Sequence, residues 1–279
     1  MTIGILYESK EWSTYALRGH IEEMGVPARL FDMQEEAYKE ELLSCRLIVN
    51  RVFASAVFRG HQKALGRMPA VIKLLEVNKV PMINPAEAHY YEISKTRTKQ
   101  KLKASGFPVP KLYDANSPEY PCIVKPDCGG RTSYTFIVNN PRELKESLKN
   151  SPGIIFIAEE YIRPEYGYIT RIEVIDGTVK LALKRSVTEG GLSAYHLGSE
   201  YEFHEDLSPE IQDAAVRAMD CLTIEAGSMD IIENETGYYI IDVNSVSNAS
   251  EDNTEMFHFD LMKETAAYAV RKYGNLYKQ

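Results

Sequence analysis

Long apolar runs are missing from this 279-residue chain, and none approaches the roughly 20 residues needed to span a bilayer. The opening stretch, MTIGILYESK, also lacks a basic region followed by an apolar one, the pattern of a secretory leader. A cytoplasmic protein with no membrane partner is therefore expected. Cysteine is scarce. The four present, Cys45, Cys122, Cys128 and Cys221, show no metal-type spacing, which points to reduced thiols and away from a zinc site. Positive charge is in deficit: a formal net charge of -8 argues against a phosphate-neutralising surface, so no nucleic-acid partner is expected. The run richest in lysine and arginine, Lys95 to Lys111, reads instead as a solvated helix face. No internal repeat or low-complexity tract is visible. What remains, 44% hydrophobic and 26% charged residues, is the composition of a soluble globular protein.

The length allows two domains. Residues 1 to 88 alternate strand and helix, with apolar runs TIGILYE, ARLFD and CRLIVNRVF leading to PMIN, as in a small parallel sheet with covering helices. Asn84-Pro85 opens a boundary, and a helix runs to about Ser105, where Gly106 and two prolines stop it. Strand, glycine-containing turn and strand follow in PCIVKPDCGGRTSYTFIVNN, then a helix from Pro141 and the strand GIIFIAEEYI. Asp176-Gly177 is a hairpin signal between YITRIEVI and TVKLALKRSV. Beyond a polar loop come a helix from about Pro209 to Glu225, a strand over Met229 to Glu233, a turn at Asn234 to Gly237, the strand ending in IIDVN, and a C-terminal helix.

Period-2 alternation places Asp242 and Asn244 on one face of the last strand, with Val243 on the other. Asp230, in the preceding strand, stands beside them across the pair. Two carboxylates and an amide suit Mg²⁺, which takes further ligands from water and nucleotide phosphates. Hairpin-end Asp and Asn residues also serve simply as turn formers. Lys125 ends the run CIVK, and Gly129-Gly130 let backbone amides approach a polyanion, although such a pair is often only a turn, and no Gly-Lys-Ser/Thr of a phosphate loop is present. With a two-residue turn at Asp176-Gly177, Arg171 pairs with Ala182 and shares a face with Lys184, while Arg185 points to the other face. Such a cationic face holds phosphate, or else the hairpin is exposed with Glu173 and Lys180 paired.

The chain from about Asn84 to Asn244 resembles the ATP-grasp carboxylate-amine ligases, in the branch of the ribosomal-protein glutamate ligase and the lysine-biosynthesis carrier-protein ligase. INP, SK, GFPVP, IVKP with the glycine turn, EEYI, GYITR, KRSVTEG, MDII and IDVNSVS occur in that order. The resemblance implies an α/β (α+β) ATP-grasp fold behind an N-terminal Rossmann-like unit (1–88). The ATP-grasp part would span 89–279, with a small lid subdomain at about 113–158 and a catalytic one at 159–279. By similarity, Lys95 and Lys125 contact ATP phosphates, with Gly129 and Gly130 beside them. Glu160, Tyr161 and Ile162 meet adenine, and Glu159 assists. Asp230, Asp242 and Asn244 hold Mg²⁺ or Mn²⁺, two ions in all, with Asp242 standing where the family usually has Glu. Arg185 stabilises the transferring phosphoryl group, with Arg171 and Lys184 alongside. Ile169 replaces the family's ribose-binding Asp, which leaves Glu165 as the ribose candidate. Ser193-Ala194-Tyr195 replaces an Arg-Ser-Asn segment, and SVSN replaces ASPG after Asn244.

The implied activity is an ADP-forming ligase that joins a carboxylate to an amine through an acyl phosphate, acting on amino acids, peptides or other small molecules. Arg51, at the end of an N-terminal strand, is a candidate for a substrate carboxylate. Ser193, Tyr195, His196 and Asn244 are further substrate candidates, and loop 188–203 and turn 127–133 are expected to close as lids. An ATP-grasp kinase and a nucleotide-binding module without turnover stand as alternatives, and a homodimer or homotetramer is left open.

Overall fold

The computed structural model describes residues 2–35, 39–149, 151 and 153–276. The first sheet is parallel, in the order β2-β1-β3-β4, from β1 (Thr2–Tyr7), β2 (Ala28–Asp32), β3 (Cys45–Arg51) and β4 (Met82–Ile83). The apolar runs of β1 and β3 are buried on both faces, as inner parallel strands require, while β2 at the edge is only partly covered. Helix α3 (Gln62–Val77) covers one face through Met68, Ile72 and Leu75, after the short α2 (Lys39–Leu43). Helix α1 (Trp12–Glu23) covers the other with Leu17 and Ile21, joined there by α9 (Leu261–Asn275), which follows the short α8 (Glu251–Phe257) at the far end of the chain. Tyr268, Ala269 and Tyr273 of α9 share one core with Ile3, Ile5 and Val49.

The single helix expected after Asn84-Pro85 and up to about Ser105 is two helices, α4 (Ala86–Glu92) and α5 (Lys95–Ala104). The break falls where Ser94 turns extended, so that its hydroxyl accepts a hydrogen bond from the Arg97 amide and caps α5. A second, antiparallel sheet has the order β5-β8-β6-β7, from β5 (Leu112–Tyr113), β6 (Cys122–Pro126), β7 (Phe136–Val138) and β8 (Phe156–Glu160). Helix α6 (Pro141–Lys149) backs it, with Leu144 packed on Cys122, Val124 and Ala158. Ile123 and Lys125 point the opposite way.

The third sheet is antiparallel, in the order β11-β10-β9-β12-β13. It is built from β9 (Tyr168–Ile175), β10 (Thr178–Ser186), β11 (Tyr201–Phe203), β12 (Ala226–Asn234) and β13 (Gly237–Asn244). Helix α7 (Pro209–Cys221) and α5 close one face over Ile172, Val174, Met229 and Ile231. Alternation turns Arg171, Glu173 and Asp230 to the other face. Helix α7 ends earlier than its sequence pattern suggests, and the chain turns at Thr223, whose φ is +54°.

The hairpin differs from expectation in register. Asp176 and Gly177 do form the turn, with φ of +53° and +65°. A bulge then leaves Lys180 without a partner on β9, so Leu181 opposes Glu173 and Leu183 opposes Arg171. One extra residue flips every later side chain to the other face. Arg185, not Lys184, therefore shares a face with Arg171.

Asn84 joins the sheets. Its side-chain oxygen accepts from the amides of Glu225 (2.7 Å) and Ala226 (2.8 Å), and its nitrogen donates to the carbonyls of Ala226 (2.8 Å) and Ser245 (2.5 Å). Among the described residues no helix is long and apolar enough to cross a membrane. Asn84→Ala strands four backbone groups in a buried junction and is expected to destabilise the fold by about 2–4 kcal/mol in chemical denaturation.

Candidate active site

The free face of the third sheet and the inner face of the second enclose a cleft of about 550 Å³. At its centre, Asp230 of β12 lies directly opposite Asp242 of β13, with Asn244 two residues on. Adjacent carboxylates repel unless cations stand between them. Here the Lys95 ammonium donates to Asp242 at 2.6 Å, and Asp230 accepts from Arg185 at 2.9 Å and from Arg171 at 3.3 Å. Burial pushes the Asp242 carboxyl up, but Lys95, with Lys125 and Lys99, outweighs it and holds the group down at about 2. Arg171 is locked in turn by the buried Glu173, which accepts from its Nε at 2.9 Å and from the Ser247 hydroxyl at 2.6 Å. Burial works against the Arg171 charge, yet Glu173 and Asp230 raise its pKa.

A second buried carboxylate organises the lysines. Glu159, 1% exposed, meets Lys125 at 2.6 Å and Lys99 at 3.0 Å, and both ammonium groups also donate to the Ile241 carbonyl. Burial raises the Glu159 pKa, and the two lysines bring it below its ordinary value. Lys99 itself is lowered to about 8 by burial, only partly opposed by Glu159. Glu159 thus anchors lysines rather than facing a base. Lys99 was not singled out in the sequence, although its place four residues after Lys95 puts both on one side of a helix. Glu92 was also missed: it is buried and accepts from the amides of Ala54 and Ser245.

At one end the cleft narrows between apolar side chains, Ile162, Ile169 and Ile232, which form a small cluster next to Tyr161. The Glu160 amide is already spent on the Lys111 carbonyl, at 2.8 Å, so only the non-strand stretch at Tyr161 and Ile162 is free to face a planar ring. Over the top lies the glycine turn. Gly129, at φ +154°, packs so closely on Phe58 that an added Cβ would sit 2.6 Å from its ring, and Gly130 lies against Ser55. Asp127 holds this turn to the start of α5, accepting from the Ser94 hydroxyl and the Thr96 amide. The two expected lids meet each other: Thr132 of the turn and His196 of loop 188–203 lie within 3.4 Å.

Three sequence candidates, Lys184, Arg51 and Glu165, fall outside the cleft. Lys184 is on the reverse face, beside Asp206 at 3.2 Å and over the Tyr168 ring, because of the bulge. Arg51 is 3% exposed and does not line the cleft; it donates to Ser13 and the Ser247 carbonyl, and burial lowers its pKa to about 10. Glu165 is exposed, accepts from the Glu235 amide, and is also outside the cleft. Ser193 is buried and accepts from Arg185 Nε at 2.9 Å, so it orients that arginine rather than presenting itself to a substrate. The Tyr195 side chain lies outside the described part of the structure.

Two lysines on a carboxylate, an acidic pair set among cations and a glycine turn overhead are a phosphate-binding arrangement, and the matching family model, described as an ATP-grasp domain, covers residues 93–250. The chain belongs to the ATP-grasp family. A D-alanine-D-alanine ligase of Pediococcus pentosaceus is 31% identical over 161 residues, 52% of this chain and 45% of that protein. The coenzyme gamma-F420-2:alpha-L-glutamate ligase of Methanococcus maripaludis is 28% identical over 193 residues, 63% of this chain and 66% of its own. The matches thus span less than two thirds of these relatives' length. Among solved structures, the ATP-grasp ligase PsnB complexed with minimal precursor, Mg and ADP superposes with a TM-score of 0.71 at 18% identity, over 98% of both chains. A RimK domain protein ATP-grasp from Sphaerobacter thermophilus gives 0.73 at 14%, over 96% and 99%. These two likenesses support the ATP-grasp fold.

Within this ATP-grasp cleft, Glu159→Gln leaves two buried ammonium groups sharing a neutral amide. Breaking a buried ion pair at one partner costs about 3–5 kcal/mol. Denaturation of the variant is expected to show a loss of that size, and retained stability would remove Glu159 as the anchor of Lys99 and Lys125.

Proposed function

We propose that this ATP-grasp chain is an ADP-forming ligase that joins a carboxylate to an amine. The observation that carries this reading is the convergence of Asp230, Asp242 and Asn244 with Lys95, Lys125, Arg171 and Arg185 in one cleft roofed by two touching loops. The names of relatives, a D-alanine-D-alanine ligase and an alpha-L-glutamate ligase among them, favour the same chemistry. In this reading residues 1–88 form the unit before the ATP-grasp part, about 113–158 the lid and 159–279 the catalytic part. The cytosol, where ATP is made available, is the compartment it calls for.

The donor set fits Mg²⁺. It consists of hard oxygens only, and the Asn244 amide has no hydrogen-bond partner among the described residues. No cluster of three or more His, Cys, Asp or Glu suited to a metal occurs among those residues, so protein alone does not complete a coordination shell, in keeping with an ion that also takes water and phosphate oxygens. We assign Asp230, Asp242 and Asn244 to two such ions. Bound there, Mg²⁺ would neutralise phosphate charge and polarise the γ-phosphoryl group.

The chain's own residues do the rest. Lys95 and Lys125 hold the phosphates by charge-assisted contacts. Gly129 and Gly130 bring backbone amides close to them. The apolar end beside Tyr161 and Ile162 takes the adenine ring. Arg185, oriented by Ser193, faces the γ-phosphoryl group. A substrate carboxylate oxygen attacks that phosphorus and ADP leaves; the amine nitrogen then attacks the acyl carbon, and phosphate leaves as the C–N bond forms and the nitrogen loses a proton. The acyl phosphate survives only out of water, which gives the meeting of the Thr132 and His196 loops its purpose. Positioning and electrostatics carry most of such a phosphoryl transfer.

A panel of carboxylates and amines, assayed for Mg²⁺-dependent ADP release with mass spectrometry of the product, tests this directly. An amide product is expected for at least one pair, with Asp242→Ala slowing turnover by about 10²- to 10⁴-fold. A stable phosphorylated product without an amide would mark a kinase. Binding of ATP without turnover would mark a nucleotide-binding module, and an Asp242→Ala protein of full activity would sink the metal assignment.

A further inference from the structure

Beyond Asn244 the cleft runs on along the segment 246–261, opposite the adenine end. Its wall there sets apolar side chains, Val246, Phe257, Phe259 and Leu261, beside polar ones. The apolar surface continues to the rim, because the Phe257 ring packs edge to face on Phe203 at 5.2 Å and Phe203 is 46% exposed. The polar groups are neutral hydrogen-bonding ones, from Asn248, Ser250, Asn253 and Thr254, apart from one carboxylate. No lysine or arginine occurs in residues 246–261, and Asp252 is the one carboxylate of that segment lining the cleft. Asp252 is exposed and has no hydrogen-bond or ion-pair partner among the described residues.

The cations elsewhere in the cleft are all engaged. Lys95 is on Asp242, Lys125 on Glu159, Arg171 on Glu173 and Asp230, Arg185 on Asp230, and Arg131 on Glu11 at 2.7 Å. In the proposed reaction, phosphates draw on Lys95, Lys125 and Arg185, while Arg171 keeps its buried Glu173. An acidic side chain brought by the amine substrate to this end therefore meets apolar and neutral polar groups, no free cation and one free carboxylate. Burying an unpaired charge on apolar surface is costly, and a like charge nearby adds to that cost.

We infer that the amine substrate carries an apolar or cationic side chain and no acidic one, and that Asp252 selects for positive charge at the mouth of the cleft. This rests on the ligase reading and sets the chain apart from relatives named for glutamate. Wider in consequence, it also points to Phe257 and Phe203 as the surface on which the substrate's apolar part lies.

The test compares L-lysine, L-leucine and L-glutamate as amines in Mg²⁺-dependent ADP release, each with the carboxylate that supports the fastest turnover and each with the amide verified by mass spectrometry. Lysine and leucine are expected to exceed glutamate in kcat/KM by about tenfold or more. Asp252→Lys, a change on an exposed side chain, is expected to lower the lysine-to-glutamate ratio by about tenfold, with Asp252→Asn between the two. Glutamate used as well as lysine overturns the inference while the ligase reading stands. So does an Asp252→Lys protein whose ratio is unchanged. Absence of Mg²⁺-dependent ADP with every pair overturns the ligase reading and this inference together.

Discussion

The opposition of Asp230 and Asp242 across β12 and β13 is the constraint from which the rest of the cleft follows. Two carboxylates on neighbouring strands repel, and their site is largely shielded from water, so each must have a cation. Three elements deliver them. Helix α5 brings Lys95, β9 brings Arg171, and β10 brings Arg185. In the proposed reaction two of these cations, Lys95 and Arg185, would also serve the nucleotide's phosphates, while Arg171 stays on Glu173. A bound divalent ion would take over the task of neutralising the acids and release these side chains toward the phosphate. Folding and ligand binding thus draw on one set of charges.

The lysines show the same economy at a second level. Glu159 sits at 1% exposure with an ammonium on each side, and the Ile241 carbonyl shares both. Because Ile241 adjoins Asp242, the backbone that presents the acid also fixes the lysines, and the second sheet is pinned to the third at that point. Arg171 is restrained likewise by Glu173 beneath it. Lys125, Arg171 and Arg185 have their positions set by the buried acids Glu159, Glu173 and Asp230, so little of their side-chain entropy remains to be lost when an anion arrives.

Much of this was legible in the residues. Alternation in IIDVN put Asp242 and Asn244 on one face, and the turn at Asn234 to Gly237 brought Asp230 alongside, because a period of two leaves a strand no other choice. Lys125 before paired glycines marked a turn that lines the cleft. Lys99 carried a readable signal in its spacing from Lys95, but a lysine-rich helix looks solvated unless the buried partner on β8 is known. Glu92, Glu173 and Glu159 gave no signal of their roles, since a carboxylate's burial depends on which distant strands close over it. Arg51 erred the other way: its place at the end of β3 suggested an open crevice, whereas α1 and the segment after β13 cover it.

By itself the amino-acid order determined most of the elements, the acid-amide triad and the hairpin turn at Asp176-Gly177, all consequences of local backbone preference and short-range periodicity. Tertiary structure alone decided which arginine faces the acids. A single bulged residue at Lys180 reverses the faces of all that follow, moving Arg185 into the cleft and Lys184 out of it. That bulge arises where β10 must pair with β9 while β9 also pairs with β12. No window of sequence around the turn contains that second partner, so local preference alone leaves this register open.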